Sequence, residues 1–112
     1  MQDTLVGIDT SKIDQLNQSA WALNRKDAYK AIDLGNEALT KSKEIGYKHG
    51  IALALKTIGT SKVWISKNEE ALTLLFDAIS IFNELNDKKN EAETYYYVGA
   101  NFRYLSDYDS AI

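Results

Sequence analysis

The 112-residue chain has no cysteine and a single histidine, His49. The lack of cysteine excludes disulfides, thiol nucleophiles and zinc sites of the Cys/His type, and with only His49 neither a histidine-based triad nor any catalytic role is expected. Cations are in no excess: 13 Lys and Arg against 16 Asp and Glu leave a formal charge of -3 and a pI near 5.1. Nucleic-acid binding therefore lacks its main electrostatic driver, and a polybasic membrane anchor is equally unsupported. Long apolar runs are missing too. The longest, Ile51 to Leu55, is far short of the roughly 20 residues needed to cross a bilayer. The opening MQDTLVGIDT carries acids where a secretory leader carries basic residues, so a cytoplasmic location is expected. Proline is absent altogether, which permits long unbroken helices.

What is present is 45% apolar and 26% charged residues, the composition of one modest globular domain. From Asn68 to Leu85 the residues Ala71, Leu74, Leu75, Ala78, Ile79, Phe82 and Leu85 recur at steps of three and four, the spacing of one helical stripe. Leu55, Ile58, Gly59, Lys62 and Ile65 predict a helix before it, and Tyr95, Val98, Gly99, Phe102 and Leu105 predict one after it. No segment sustains the apolar/polar alternation of a strand.

Sliding the chain by 40 positions aligns Ala31, Ala71 and Ala111 without a gap, and pairs Leu34 with Leu74, Ala38 with Ala78, Ala52 with Ala92 and Gly59 with Gly99. Two helical stripes per 40 residues predict a repeated helix-turn-helix unit, the sequence pattern of an α-solenoid. Turns are predicted at Gly46–Gly50 and Asn86–Asn90. Ser11 with Asp14, and Asp27 and Asp107, stand at cap-like positions.

The segment IGTSKVWISKNEEALTLLFDAISIF resembles a tetratricopeptide repeat, with Ile58-Gly59 in the Leu-Gly place and Ala71 and Ala78 at the small positions of the second helix. Val98-Gly99, Phe102 and LSDYDSAI resemble a third unit, in which Asp107, Tyr108 and Ala111 open a second helix. The 40-residue spacing is similar to the long variant seen in amino-terminal arrays of bacterial signalling proteins. The resemblance implies an all-α, right-handed solenoid of antiparallel helix pairs in one domain spanning residues 1–112, about two and a half repeats. The units fall at about 11–47, 48–87 and 88–112, the last truncated. Gly59 and Gly99 are then expected where paired helices cross, opposite Ala71 and Ala111. The Tyr95, Val98, Phe102 and Leu105 stripe is expected to lack its partner helix, which invites self-association or continuation of the chain.

The same register implies a concave surface carrying Ile13, Leu16, Ala20, Leu23 and Asn24, then Leu53, Lys56, Thr60, Val63 and Trp64, then Tyr96, Ala100, Arg103 and Tyr104, with Tyr95 pointing into the unit. Lys56, Thr60, Trp64, Tyr96, Arg103 and Tyr104 are the candidate partner contacts, because clustered Trp, Tyr and Arg dominate binding energies. The clamp that captures acidic chaperone tails is not expected: Leu16, Ala20, Thr57, Glu93 and Tyr97 stand where it needs Lys, Asn and Arg. Gly59-Thr60-Ser61-Lys62 lacks the spacing of a phosphate loop, and no cofactor or metal is expected. His49 is expected as a solvated turn residue, and Glu69, Glu70, Glu91 and Glu93 as acids favouring helix starts. The function expected is a non-catalytic module binding a peptide or partner helix; the alternative is the amino-terminal regulatory segment of a larger signal-transduction protein.

Overall fold

The computed structural model describes the backbone of residues 10–111 and the side chains as far as Ser106. Residues 1–9, and the surroundings of Tyr108 and Ala111, lie outside what is described. The described chain forms five helices and no strand: α1 (Thr10–Leu23), α2 (Ala28–Ile45), α3 (Lys48–Trp64), α4 (Asn68–Glu84) and α5 (Lys88–Ala111). The all-helical expectation holds. None of these helices is long and apolar enough to cross a membrane.

The turns share one local chemistry. Gly46, Ser66 and Asn86, each twenty residues from the last, take left-handed backbone with φ of 67°, 65° and 58°. After each, a backbone N–H reaches five residues back: Tyr47 to Ser42 at 2.8 Å, Lys67 to Lys62 at 2.9 Å and Asp87 to Phe82 at 2.9 Å. A left-handed residue with that bond satisfies carbonyls the helix end leaves open and turns the chain sharply. The next helix starts two residues after the left-handed one, so His49 and Gly50 belong to α3 rather than to the predicted turn. Asp27 caps α2 as expected, its carboxylate accepting from the Lys30 N–H at 3.1 Å, and Asp87 does the same for Asn90 at 3.2 Å. Ser11 lies inside the first turn of α1, which begins at Thr10.

Consecutive helices pack on one another, and α1 and α5 each also touch α3. Helices α1, α3 and α5 therefore lie side by side, with α2 and α4 on the other side of α3. Being touched by all four other helices, α3 is buried around most of its circumference, at Gly50, Ala52, Ala54, Lys56 through Ser61, and Val63. Small residues suit that position because they let several backbones approach at once. A Cβ on Gly35 would stand 2.7 Å from Ile58 Cγ1, and one on Gly50 would stand 2.6 Å from Tyr47 and 3.1 Å from Ile13. The single stripe predicted for α3 thus understated its burial, since periodicity reports one face and α3 has several.

The stripe on α4 is buried as predicted at Ala71, Leu75, Ala78, Ile79 and Phe82, while Leu85 at its end is exposed. Gly59 does meet α4 closely, but through Leu75 and Leu74 rather than Ala71.

The third unit differs from the expectation. Asp107 opens no second helix; α5 runs unbroken through it to Ala111. Ser106, aligned with the left-handed Ser66, stays helical. Gly99 consequently faces open space, and Tyr95, expected to point inward, is exposed along with Phe102. The buried face of α5 is rotated from the predicted stripe and includes Thr94, Val98 and Asn101, with Tyr97 half-buried. The two polar members are satisfied: Thr94 Oγ1 donates to the Asn90 carbonyl at 2.6 Å, and Asn101 Oδ1 accepts from Asn68 Nδ2 at 2.7 Å.

Candidate functional site

The side-by-side arrangement of α1, α3 and α5 brings together residues far apart in sequence and opens two cavities along one face. The first, about 510 Å³, includes Asn17 and Trp21 of α1, Lys56 of α3 and Asn90 and Glu93 of α5 in its lining. Lys56 is 4% exposed. Its ammonium pairs with Glu93, donates to Asn90 Oδ1 at 3.0 Å and lies 4.2 Å from the Trp21 ring centroid. A buried lysine of this kind ties three helices together and has no free donor directed outward. Thr60 is also fully buried, and its hydroxyl has no partner among the described residues. Two of the six candidate contacts are therefore inside the packing.

The other four meet at the second cavity, about 460 Å³, where Trp64, Tyr96, Arg103 and Tyr104 are joined by Asn24, Arg25, Tyr97 and Ala100. Trp64 ends α3, so its indole projects over the turn that follows α1. There Nε1 donates to Asn24 Oδ1 at 2.9 Å, and Asn24 Nδ2 donates to the Trp21 carbonyl at 2.6 Å. The Arg25 guanidinium sits 4.7 Å from the Trp64 ring centroid, and that of Arg103 5.7 Å from the Tyr96 ring. Tyr97 is the hub of the aromatics, edge-on to Trp21 at 5.4 Å, Tyr96 at 5.1 Å and Trp64 at 6.4 Å. Such edge-to-face contacts fix ring orientation beyond what burial alone does. Burial pushes the Tyr97 phenol up, Glu93 and Tyr96 push it further, and Arg25 opposes them. Tyr96 is 59% exposed and Tyr104 37%, the Tyr104 hydroxyl accepting from Ser66 Oγ at 3.4 Å.

Sequence reasoning missed Arg25 and the central place of Tyr97. A signal for the first was available, since Arg25 and Arg103 are the only arginines in the chain. For Tyr97 there was none, because three tyrosines in a row give no means of choosing the inward one.

Beyond this face, His49 lies in α3 rather than in a turn, its side chain still 39% exposed. Nε2 lies 2.9 Å from Asp87 Oδ2, and the ring stands edge-on to Phe82 at 6.1 Å. Burial pushes the Asp87 carboxyl up, but the hydrogen bonds from Asn90 and His49 and the His49 charge outweigh it and leave it below its ordinary value. Tyr47, donating to Asp14 Oδ1 at 2.8 Å, has its phenol pushed up to about 12 by burial and by that carboxylate. Among the described residues no group of three or more His, Asp or Glu is placed to hold a metal ion. Of the acids expected at helix starts, Glu69 and Glu70 stand in the first turn of α4 and Glu91 in that of α5, while Glu93 lies beyond the first turn and pairs with Lys56 instead. No family model and no curated protein sequence matches this chain.

Proposed function

We propose that the chain is a non-catalytic, cytoplasmic protein-interaction module that holds a peptide or partner helix on the face formed by α1, α3 and α5. One observation carries this reading. Four of the residues chosen from the 40-residue register, spread over α3 and α5, line one cavity whose rim tyrosines are exposed. The reading places the chain in the tetratricopeptide-repeat class, a right-handed solenoid of antiparallel helix pairs. Its support is the 40-residue pattern, the turns at twenty-residue intervals and the lateral contacts of α1 and α5 with α3. The contact residues are Trp64, Tyr96, Arg103 and Tyr104, with Lys56 and Thr60 supporting the face from within.

The test is selection of peptides from a displayed random library on the folded chain. Tyr96→Ala and Tyr104→Ala should abolish binding of the enriched peptides while the helical circular dichroism is kept. Tyr29→Ala and Phe76→Ala, at exposed aromatics of α2 and α4, should leave binding intact. Loss only in the second pair would move the binding surface elsewhere and refute the proposal.

The exposed Tyr95, Gly99 and Phe102 on α5 favour a second reading. In it the array is the amino-terminal regulatory segment of a larger signal-transduction protein, a kinase, nucleotide cyclase or transcription regulator, and further helices cover this stripe. The reading frame downstream of residue 112 tests it. In the chain by itself the stripe would meet a second copy, and light scattering at several concentrations should then show association; a strict monomer would count against that contact.

A further inference from the structure

The two arginines of the chain come from different elements, the turn after α1 and the middle of α5, yet both line the 460 Å³ cavity. Neither has an ion-pair partner among the described residues. The basic side chains paired with carboxylates among the described residues are Lys48, His49, Lys56 and Lys62. In a chain with more acids than bases, neither arginine is thus paired with a described carboxylate, and no acidic side chain lines the cavity.

Each guanidinium is instead placed over a ring, Arg25 over Trp64 and Arg103 over Tyr96. A ring beneath a guanidinium attracts its charge without using its N–H donors, which leaves those donors available for bidentate pairing with a planar anion. The indole and amide donors of the cavity are already engaged: Trp64 Nε1 with Asn24 Oδ1, and Asn24 Nδ2 with the Trp21 carbonyl. What remains for a ligand is two cations and the tyrosine hydroxyls beside aromatic surface. A cavity of this size falls within the usual 300–1,000 Å³ range for compact ligands, suiting one or two side chains rather than a whole helix. Two cations are too few to track a nucleic-acid backbone, which favours a protein ligand.

We propose that this pocket binds an acidic peptide segment, in which an Asp or Glu carboxylate pairs with Arg25 and Arg103 and a neighbouring aromatic or aliphatic side chain rests on the Tyr96–Tyr97–Trp64 rings. The inference rests on the interaction-module reading and specifies its ligand. It uses neither the residues nor the positions of the chaperone-tail clamp.

Peptides selected from a displayed random heptapeptide library on the chain should be enriched in Asp or Glu within two positions of an aromatic or aliphatic residue. The strongest of them, followed by fluorescence polarisation, should bind about tenfold more weakly to Arg25→Gln and to Arg103→Gln, the size of one charge-assisted hydrogen bond. Arg→Lys at either site should not restore affinity, since lysine keeps the charge but lacks the planar fork. Lys88→Gln, at an exposed position outside both cavities, should change it little. Enriched peptides without acids, lost on Tyr96→Ala but indifferent to both arginine substitutions, would overturn this inference and leave the module reading intact. Absence of any enriched peptide would overturn both.

Discussion

Gly59 and Gly99 occupy aligned positions forty residues apart, and Gly→Ala should have opposite effects at the two. In a helix interior alanine is favoured over glycine by about 1 kcal/mol, because glycine loses more backbone entropy on folding. Both glycines lie inside helices, α3 and α5, so both receive that gain. At Gly99 nothing lies within 4 Å of the new Cβ, and the gain stands alone. At Gly59 the methyl would stand 2.9 Å from Leu75 Cγ, 3.0 Å from its Cδ2 and 3.2 Å from Leu74 Cβ. Leu75 is fully buried and its branch point cannot swing aside as a flexible chain end would. Overpacking of this kind costs about 1–3 kcal/mol. The net expectation is a gain of up to about 1 kcal/mol for Gly99→Ala and a loss of about 1 kcal/mol for Gly59→Ala. For a domain of this size 1 kcal/mol corresponds to roughly 4–8 °C in melting temperature, readily measured by circular dichroism. Equal stabilisation by both substitutions would refute the claim that α3 and α4 are in backbone-limited contact at this point. Destabilisation by Gly99→Ala would show that the outer side of α5 is covered.

At the buried lysine, Glu93→Gln should destabilise more than Lys56→Met, because the first strands an ammonium that is 5% exposed while the second leaves a carboxylate that is 41% exposed. The cost of the first should be about 2–4 kcal/mol in urea denaturation, and a reversed order would sink the account. Asp87 gives a pH signature: its carboxyl lies below the ordinary 3.8, so its stabilisation is full above that value and is lost as pH falls through the lower folded one. The melting-temperature gap between the chain and Asp87→Asn should therefore close on acidification below about 4. A constant gap would mean that the carboxylate charge is irrelevant. Ser66→Gly should stabilise by about 1 kcal/mol by relieving the left-handed residue, measured by thermal melting, with Asn86→Gly gaining less because asparagine tolerates that region.

The sequence carried helicity, helix number up to α5 and the face α4 buries, because hydrophobic spacing and the lack of proline act locally. It also placed Asp27 as a cap and Trp64, Tyr96, Arg103 and Tyr104 in one group, since a 40-residue register fixes which side of each helix a residue occupies. Several matters depended on which helices meet. Lys56 looked like a surface cation until α1 and α5 closed over it with Trp21, Asn90 and Glu93. His49 looked unpartnered until Asp87, thirty-eight residues on, came within 2.9 Å. Gly99 matched Gly59 in register but not in surroundings, because a register copies orientation and cannot copy a neighbour. Local propensity is written in adjacent residues, whereas burial, ion pairing and the convergence of Arg25 with Arg103 are properties of contacts between helices, which only the assembled structure supplies.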